Sequence, residues 1–144
     1  MSWDALADEL RNDPALSGLD EASTRAVIDL LALVVHADGK VGVLEQSEFE
    51  DQVDSLPWLA GKDVGPALAR AKDTRGETAV RTAVQQATRR LNGLGVEDKV
   101  YRMAAQLAWA DLNLHRDEST VLRCIAESLG LSPQAAAAID AAVG

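Results

Sequence analysis

The sequence has little of the chemistry that stabilises disulfide-rich or β-rich proteins. Its one cysteine, Cys124, cannot form a disulfide within the chain. It has three tryptophans, one tyrosine and one phenylalanine, and its β-branched residues never alternate with polar residues over the length of a strand. These absences exclude a disulfide scaffold and predict essentially no β-sheet.

Long apolar runs and excess positive charge are also missing. No segment approaches the roughly 20 apolar residues that span a bilayer, and the first ten residues lack the basic region of a secretory signal. The formal net charge is −9, from 14 Lys and Arg against 23 Asp and Glu, so the overall field repels phosphate backbones and anionic lipids. We expect a soluble, cytoplasmic protein that binds neither nucleic acid nor membranes, and whose partners are cations or basic proteins.

Motifs of the common enzyme classes do not occur. The chain has no GxSxG, HExxH, P-loop, CxxC pair or dinucleotide-binding glycine fingerprint. Cys124 shares an apolar helical stripe with Val121, Leu122, Ile125 and Leu129, where a free cysteine behaves as a small buried hydrophobe. These features favour a binding protein over an enzyme.

Apolar residues at helical spacing are what the sequence does have. Val27, Leu30, Leu31, Val34 and Val35 follow an i, i+3, i+4, i+7, i+8 pattern, which predicts a helix from about residue 20 to 37. Similar stripes recur along the chain, and a proline at position 14 ends the first helix and leads into a connector. The pattern predicts an all-α fold of seven or eight helices in a single domain, residues 1–144.

Several helix ends carry their own signals. Thr74 and Glu77 have the spacing of a capping box, which predicts a helix start. Gly130 is a predicted C-cap, because glycine adopts the left-handed conformation without a Cβ penalty. Ser132 followed by Pro133 predicts the start of the last helix.

One offset relates the two halves of the chain. Asp38 and Asp111 are 73 residues apart, and so are Glu45 and Glu118. Apolar residues pair at the same offset wherever the pattern predicts core. The pairs are Leu30 with Met103, Val34 with Leu107, Val41 with Leu114, Phe49 with Leu122 and Leu56 with Leu129.

This offset predicts a duplicated helix-turn-helix unit, with pseudo-repeats at about 20–62 and 93–140. Two such units packed face to face bury both apolar stripes in one core, which neither could do alone. We therefore expect a compact bundle in which the two halves superpose.

Both halves contain an acidic turn, at residues 37–45 and 110–118. Each begins with alanine-aspartate, continues through a short segment with an aliphatic residue, and reaches a glutamate in the first turn of a helix. In these turns, and in the leucine-glycine-leucine-serine sequence at 129–132, the chain resembles the TerB-like family of tellurite-resistance proteins. The resemblance covers about residues 20–138.

The resemblance implies an all-helical domain with an acidic surface, linked to metal binding and to tellurite or stress responses, without established catalysis. The positions that match the family's turns are Asp38, Glu45, Asp111 and Glu118. Four carboxylates are hard oxygen ligands suited to Ca²⁺ or Mg²⁺, with Zn²⁺ or Mn²⁺ as alternatives. We predict that these residues bind one of these ions.

Other interpretations of the same acids stay open. Leu112 stands where the family has glycine, and Lys40 adds a positive charge, so the two turns are not equivalent. Glu45 and Glu118 also oppose the dipoles of the helices they begin, a purely structural role worth roughly 0.3 to 1 kcal/mol each. The functional alternatives are an acidic module that docks a basic protein without metal, and a metal-dependent hydrolase.

Overall fold

The computed structural model describes residues 3–36, 43–110 and 116–143, with side chains for all of these except 43–46, 48, 109–110, 116–119 and 143. The described chain is helical and contains no strand, which confirms the all-α class. Within it no helix is long and apolar enough to span a bilayer. The helices are α1 (Trp3–Leu10), α2 (Pro14–Ser17), α3 (Glu21–His36), α4 (Val43–Asp54), α5 (Gly65–Asp73), α6 (Glu77–Arg89), α7 (Glu97–Ala110), α8 (Arg116–Ser128) and α9 (Pro133–Val143).

The number of described helices exceeds the predicted seven or eight, because the expected connector contains the short helix α2. Asp13 is its N-cap, and Oδ1 accepts hydrogen bonds from the backbone N–H groups of Ala15 at 3.0 Å and Leu16 at 3.1 Å. Pro14 takes the first helical position, where a missing N–H costs nothing. The Asp-Pro pair therefore starts α2 as well as ending α1.

The central helix of the bundle is α3, which packs against α4, α5, α6, α7 and α8. Its predicted stripe is confirmed: Val27, Leu30, Leu31 and Val34 are at most 2% exposed, and Val35 packs on the core. Full burial of such a side chain contributes about 1.5 to 3 kcal/mol. With neighbours on several sides, α3 sets the positions of the helices around it.

The predicted signals around residue 130 are confirmed. Ser132 caps α9, since its Oγ accepts a hydrogen bond from the backbone N–H of Ala135 at 3.1 Å. Gly130 has φ +78° and follows α8. The N–H of Leu131 donates to the carbonyl of Ala126 at 2.9 Å, which is the long bond of a Schellman motif.

The predicted capping box is wrong. Helix α6 begins at Glu77 itself, and its N-cap is Gly76, with φ +87° and no side-chain cap. Thr74 closes the preceding helix instead, and its Oγ1 donates to the carbonyl of Arg70 at 2.7 Å. A left-handed glycine between the two residues breaks the geometry that the spacing assumes.

Helices and core residues correspond at the 73-residue offset. Shifted by 73, α4 covers 116–127, almost the span of α8. Leu30 and Met103 are both 0% exposed, and Phe49 and Leu122 are 1% and 4% exposed. Three of the predicted pairs are therefore buried in both halves, which are Leu30 with Met103, Phe49 with Leu122 and Leu56 with Leu129. In the pair of Val34 with Leu107, Leu107 is half-buried, and Val41 and Leu114 lie outside the described residues.

Contacts between helices correspond in the same way. Helix α5 packs on α3, and α9 packs on α7 in the same way in the other half. Helix α6 contacts α3, and α1, which overlaps α6 when it is shifted by 73 residues, contacts α7. Trp3 joins α1 to α4 by donating from Nε1 to the carbonyl of Gln52 at 3.2 Å, and α6 packs on α8. An approximate two-fold axis produces such reciprocal contacts. The superposition of the halves, with boundaries near 20–62 and 93–140, stays a prediction.

Candidate functional site

The four predicted metal ligands lie where the structure gives no side chains. Asp38 and Asp111 fall outside the described residues altogether. Glu45 and Glu118 lie in the first turns of α4 and α8, but their side chains are also outside the description. The clustering of these four carboxylates therefore stays a prediction.

The helices on either side of the two acidic turns are in contact. Helices α3 and α4 flank the first turn, and α7 and α8 flank the second. Helix α3 contacts α4, α7 and α8, and α7 also contacts α8. The two turns are thus attached to one continuous group of four helices.

Histidine, cysteine, aspartate and glutamate side chains elsewhere in the described chain do not cluster as metal ligands. Across residues 3–36, 43–110 and 116–143, no group of three or more histidine, cysteine, aspartate or glutamate side chains is arranged to hold a metal ion. His36, the last residue of α3, is half-buried and takes part in no such group. His115 lies outside the description.

Several carboxylates of the described helices are engaged in ion pairs. Asp13 Oδ2 lies 2.7 Å from Lys99 Nζ, and Glu9 Oε2 lies 2.6 Å from Arg102 Nη2. The hydrogen bond from Lys99 lowers the pKa of Asp13, and that from Arg102 lowers the pKa of Glu9. These pairs attach the first two helices to α7, so their role is structural.

The thiol does not have the setting of a nucleophile. Cys124 is 6% exposed among the core residues of α8, as the sequence predicts. Burial raises the pKa of the thiol, so the reactive thiolate is scarce at neutral pH.

A groove of about 890 Å³ lies between α3, α5 and α6. We call it the arginine groove. Helices α5 and α6 both pack on α3, and the groove is the space that they leave between them. Its floor is made of small side chains from all three helices, which are Ala26, Ala67, Ala71, Ala83 and Ala87.

The arginine groove is positively charged although the chain is acidic. Its walls carry Arg25, Arg70, Arg89 and Arg90, against the carboxylates of Asp29 and Asp73. The lining residues sum to +2, in contrast with −9 for the whole chain. Glu21, which pairs with Arg25, and Asp20, which lies near Arg90, are outside the lining and reduce this local excess.

The four arginines differ in their partners. Arg70 Nη2 lies 2.6 Å from Asp29 Oδ1, and Arg25 Nε lies 3.0 Å from Glu21 Oε1. Arg89 and Arg90 are exposed at the end of α6 and form no ion pair with another residue of the described chain. Two of the four guanidinium groups are thus open to a ligand.

The sequence predictions do not include this groove, although a signal for it exists. Ala22, Arg25, Ala26, Asp29 and Leu33 line it from α3, and their i, i+3, i+4, i+7, i+11 spacing places them on one helical face. The same spacing is also typical of a stripe that packs fully into a core, so the spacing alone does not reveal a groove. Its walls come from α5 and α6, and only the packing brings them together.

Comparison with protein families identifies a match over most of the chain. The model of the family described as tellurite resistance protein TerB matches residues 24–141. This range includes the helices that flank both acidic turns. No curated protein and no solved structure matches the chain. The family match confirms the resemblance found in the turns and in the sequence at 129–132.

Proposed function

The chain belongs to the TerB family of tellurite resistance proteins, and on that premise we propose that it is a divalent-cation-binding module acting in tellurite resistance or stress responses. The proposed ligands are Asp38, Glu45, Asp111 and Glu118. The ion is Ca²⁺ or Mg²⁺, because the ligand set offers hard carboxylate oxygens.

The contact among α3, α4, α7 and α8 is the observation that carries the proposal. Those helices flank the two acidic turns along the chain, and α4 and α8 occupy equivalent places at the 73-residue offset. If the halves are related by a two-fold axis, both acid pairs reach the same edge of the bundle. Such an edge would supply ligands from both halves to one ion.

Charge balance favours an ion at such an edge. Four carboxylates in proximity repel one another, which raises their pKa values and costs stability until a cation compensates. The net charge of −9 also raises the local concentration of cations around the chain. Waters and backbone carbonyls would complete the six or more oxygens that Ca²⁺ or Mg²⁺ requires.

The proposed activity is binding, without a catalytic step. The sequence has no motif of a known enzyme class. In the part of the chain that the structure describes, Cys124 is buried and its thiol pKa is raised. A module of this kind acts by changing its surface charge when the ion binds.

The net charge of −9 also favours a second candidate, in which the acidic surface docks a basic segment of another protein without metal. Ionic strength separates the two. Docking through a broad field weakens as salt screens it, since the Debye length falls from about 10 Å at 0.1 M to about 3 Å at 1 M. A chelated ion is much less affected.

Calorimetric titration of the metal-free chain with Ca²⁺, Mg²⁺, Zn²⁺ and Mn²⁺ tests the proposal. We expect saturable binding of Ca²⁺ or Mg²⁺, and its loss in the double variant Glu45→Gln with Glu118→Gln. Glutamates that only oppose the helix dipoles would give a different result, in which the double variant is less stable but no titration shows saturable heat. That result would refute the cation site.

A further inference from the structure

The arginine groove offers a second binding surface, independent of the cation site. We propose that it binds an amphipathic helix of a partner protein, whose apolar face lies on the alanine floor and whose flanking carboxylates pair with the arginines. Helix-in-groove recognition of this kind reads side chains at i, i+3, i+4 and i+7.

The shape of the groove fits a helix. Its wall on α3 runs from Ala22 to Leu33, a rise of about 16 Å at 1.5 Å per residue. A single small ion would fill a minor part of that length, whereas a helix of about 11 residues matches it. Small side chains on the floor also allow an added helix to approach at interaxial distances of about 8 to 10 Å.

Helix α6 has a side free for an added helix. Of its thirteen residues the buried ones are Val84, Ala87 and Thr88. Ala83 lines the groove half-buried, so part of the apolar surface of α6 remains uncovered. A helix lying between α5 and α6 would cover it.

The arginines of the groove favour a bound helix that carries carboxylates on its flanks. Arg89 and Arg90 stand at one end of the groove, and Arg25 and Arg70 stand on its other two helices. Arg90 lies near Asp20, whose pKa is lowered chiefly by hydrogen bonds from Ser23 and to a smaller extent by Arg90. Charges interact over about 8 Å at physiological salt, so the arginines and the carboxylates beside them decide together what binds in the groove. Glu21 offsets Arg25 and Asp20 partly offsets Arg90, so the exposed Arg89 and Arg90 carry most of the attraction for an acidic flank.

Other occupants fit the groove less well. A small oxyanion needs several guanidinium groups turned toward one point, but Arg25 and Arg70 are each held by a carboxylate of α3. A second copy would have to present an apolar helical stripe, but among the described residues the exposed large hydrophobic side chain is Leu94, which lies between α6 and α7. A partner helix with carboxylates confined to its flanks meets neither difficulty.

Selection from a displayed library of randomised helical peptides, with the full chain immobilised, tests the proposal. We expect the enriched peptides to carry Asp or Glu beside an apolar stripe of i, i+3, i+4 spacing. One enriched peptide is then synthesised, together with versions in which its acids are replaced by Gln or by Lys, and the affinity of each is measured by calorimetry.

Variants of the chain locate the peptide. The double variant Arg89→Glu with Arg90→Glu should lower the affinity for the acidic peptide by about 5- to 20-fold. Each exposed charge pair contributes a few-fold to the affinity, and charge reversal adds repulsion. The same variant should gain affinity for the Lys version. Ala22→Trp should block binding by filling the groove. The control is Arg11→Glu with Arg123→Glu, which makes the same charge change at exposed arginines outside the groove and should leave affinity unchanged.

Several results would overturn the proposal. In one, the selection enriches no peptide, or enriches basic peptides. In another, the synthesised peptide binds the chain equally well when its acids are replaced by Gln. In a third, the control variant loses as much affinity for the peptide as the variant in the groove. Displacement of the peptide by inorganic phosphate, but not by sodium chloride of the same ionic strength, would assign the groove to a small oxyanion. Self-association in sedimentation that Ala22→Trp abolishes would assign it to a second copy.

Discussion

The hydroxyl of Tyr101 donates a hydrogen bond to the carboxylate of Asp140, with the oxygen atoms 2.9 Å apart at Oδ1 and 3.2 Å apart at Oδ2. Tyr101 lies in α7 and is 2% exposed, while Asp140 is half-buried on α9. Burial raises the pKa of the tyrosine, and the bond to Asp140 raises it further. This pair fastens the last helix to the core.

Tyr101→Phe should lower the free energy of unfolding by about 1 to 2 kcal/mol, because it removes a hydrogen bond to a carboxylate and leaves the ring in place. Urea denaturation at pH 7 measures the change. Asp140→Asn, which keeps an acceptor for the hydroxyl, serves as the milder partner variant. An unchanged free energy in Tyr101→Phe would mean that the bond is not formed in solution.

The same pair predicts a dependence on alkaline pH. The folded pKa of Tyr101 lies above the unfolded value of about 10, so its stabilising effect is complete below pH 10 and is lost as pH rises toward the folded pKa. Stability should therefore fall more steeply above pH 10 in the native chain than in Tyr101→Phe. Denaturation curves from pH 8 to 11.5 for both chains give the comparison, and parallel curves would contradict it.

Asp13 should account for part of the loss of stability in acid. Its folded pKa is held below the unfolded value of about 3.9, chiefly by the hydrogen bond from Lys99, so its contribution is complete above that value and disappears as pH falls through the folded pKa. Asp13→Ala should cost about 1 to 2 kcal/mol at pH 7, through loss of the N-cap and the ion pair. Asp13→Asn keeps the cap and should cost less. Identical costs for the two variants would show that the N-cap contributes nothing, and unchanged stability in Asp13→Asn would show that the ion pair contributes nothing.

Cys124 should react with thiol reagents only when the fold opens. We expect labelling of the native chain to be at least about 1,000-fold slower than labelling in urea, because exposure of the core requires about 5 kcal/mol or more. Absorbance of the thiol-exchange product follows the rate. Rapid labelling under native conditions would show that α8 opens locally or that the thiol is accessible.

The sequence predicts those features of the fold that depend on residues close together in the chain. The stripe on α3, the Ser132 cap and the Gly130 turn all follow from neighbours within one helix or one turn, and all are confirmed. The capping box predicted from Thr74 and Glu77 does not form, because the spacing is necessary but not sufficient. The positive φ of Gly76, which lies between them, sets the backbone geometry at the start of α6.

The two proposed binding sites are harder to predict from the sequence, because they depend on contacts between distant segments. Arg25 and Arg70 are 45 residues apart in the chain and reach the arginine groove only because α5 packs on α3. For Asp38 and Asp111, the sequence supplies the residue types and the offset, but their convergence is a matter of tertiary packing. The proposed cation site requires that convergence.

Thermal denaturation with and without divalent ions shows whether Asp38 and Asp111 bind an ion together. It compares the native chain, Asp38→Asn with Asp111→Asn, and a control, Asp51→Asn with Asp98→Asn, which makes the same charge change at exposed positions. At 100 times the Kd an ion adds about 2.7 kcal/mol, so Ca²⁺ or Mg²⁺ should raise the midpoint of the native and control chains by roughly 8 °C and leave the Asp38, Asp111 variant unchanged. Without ions that variant should melt above the native chain, since repulsion is relieved. No rise in the native chain, or an equal rise in the Asp38, Asp111 variant, would contradict the cation site.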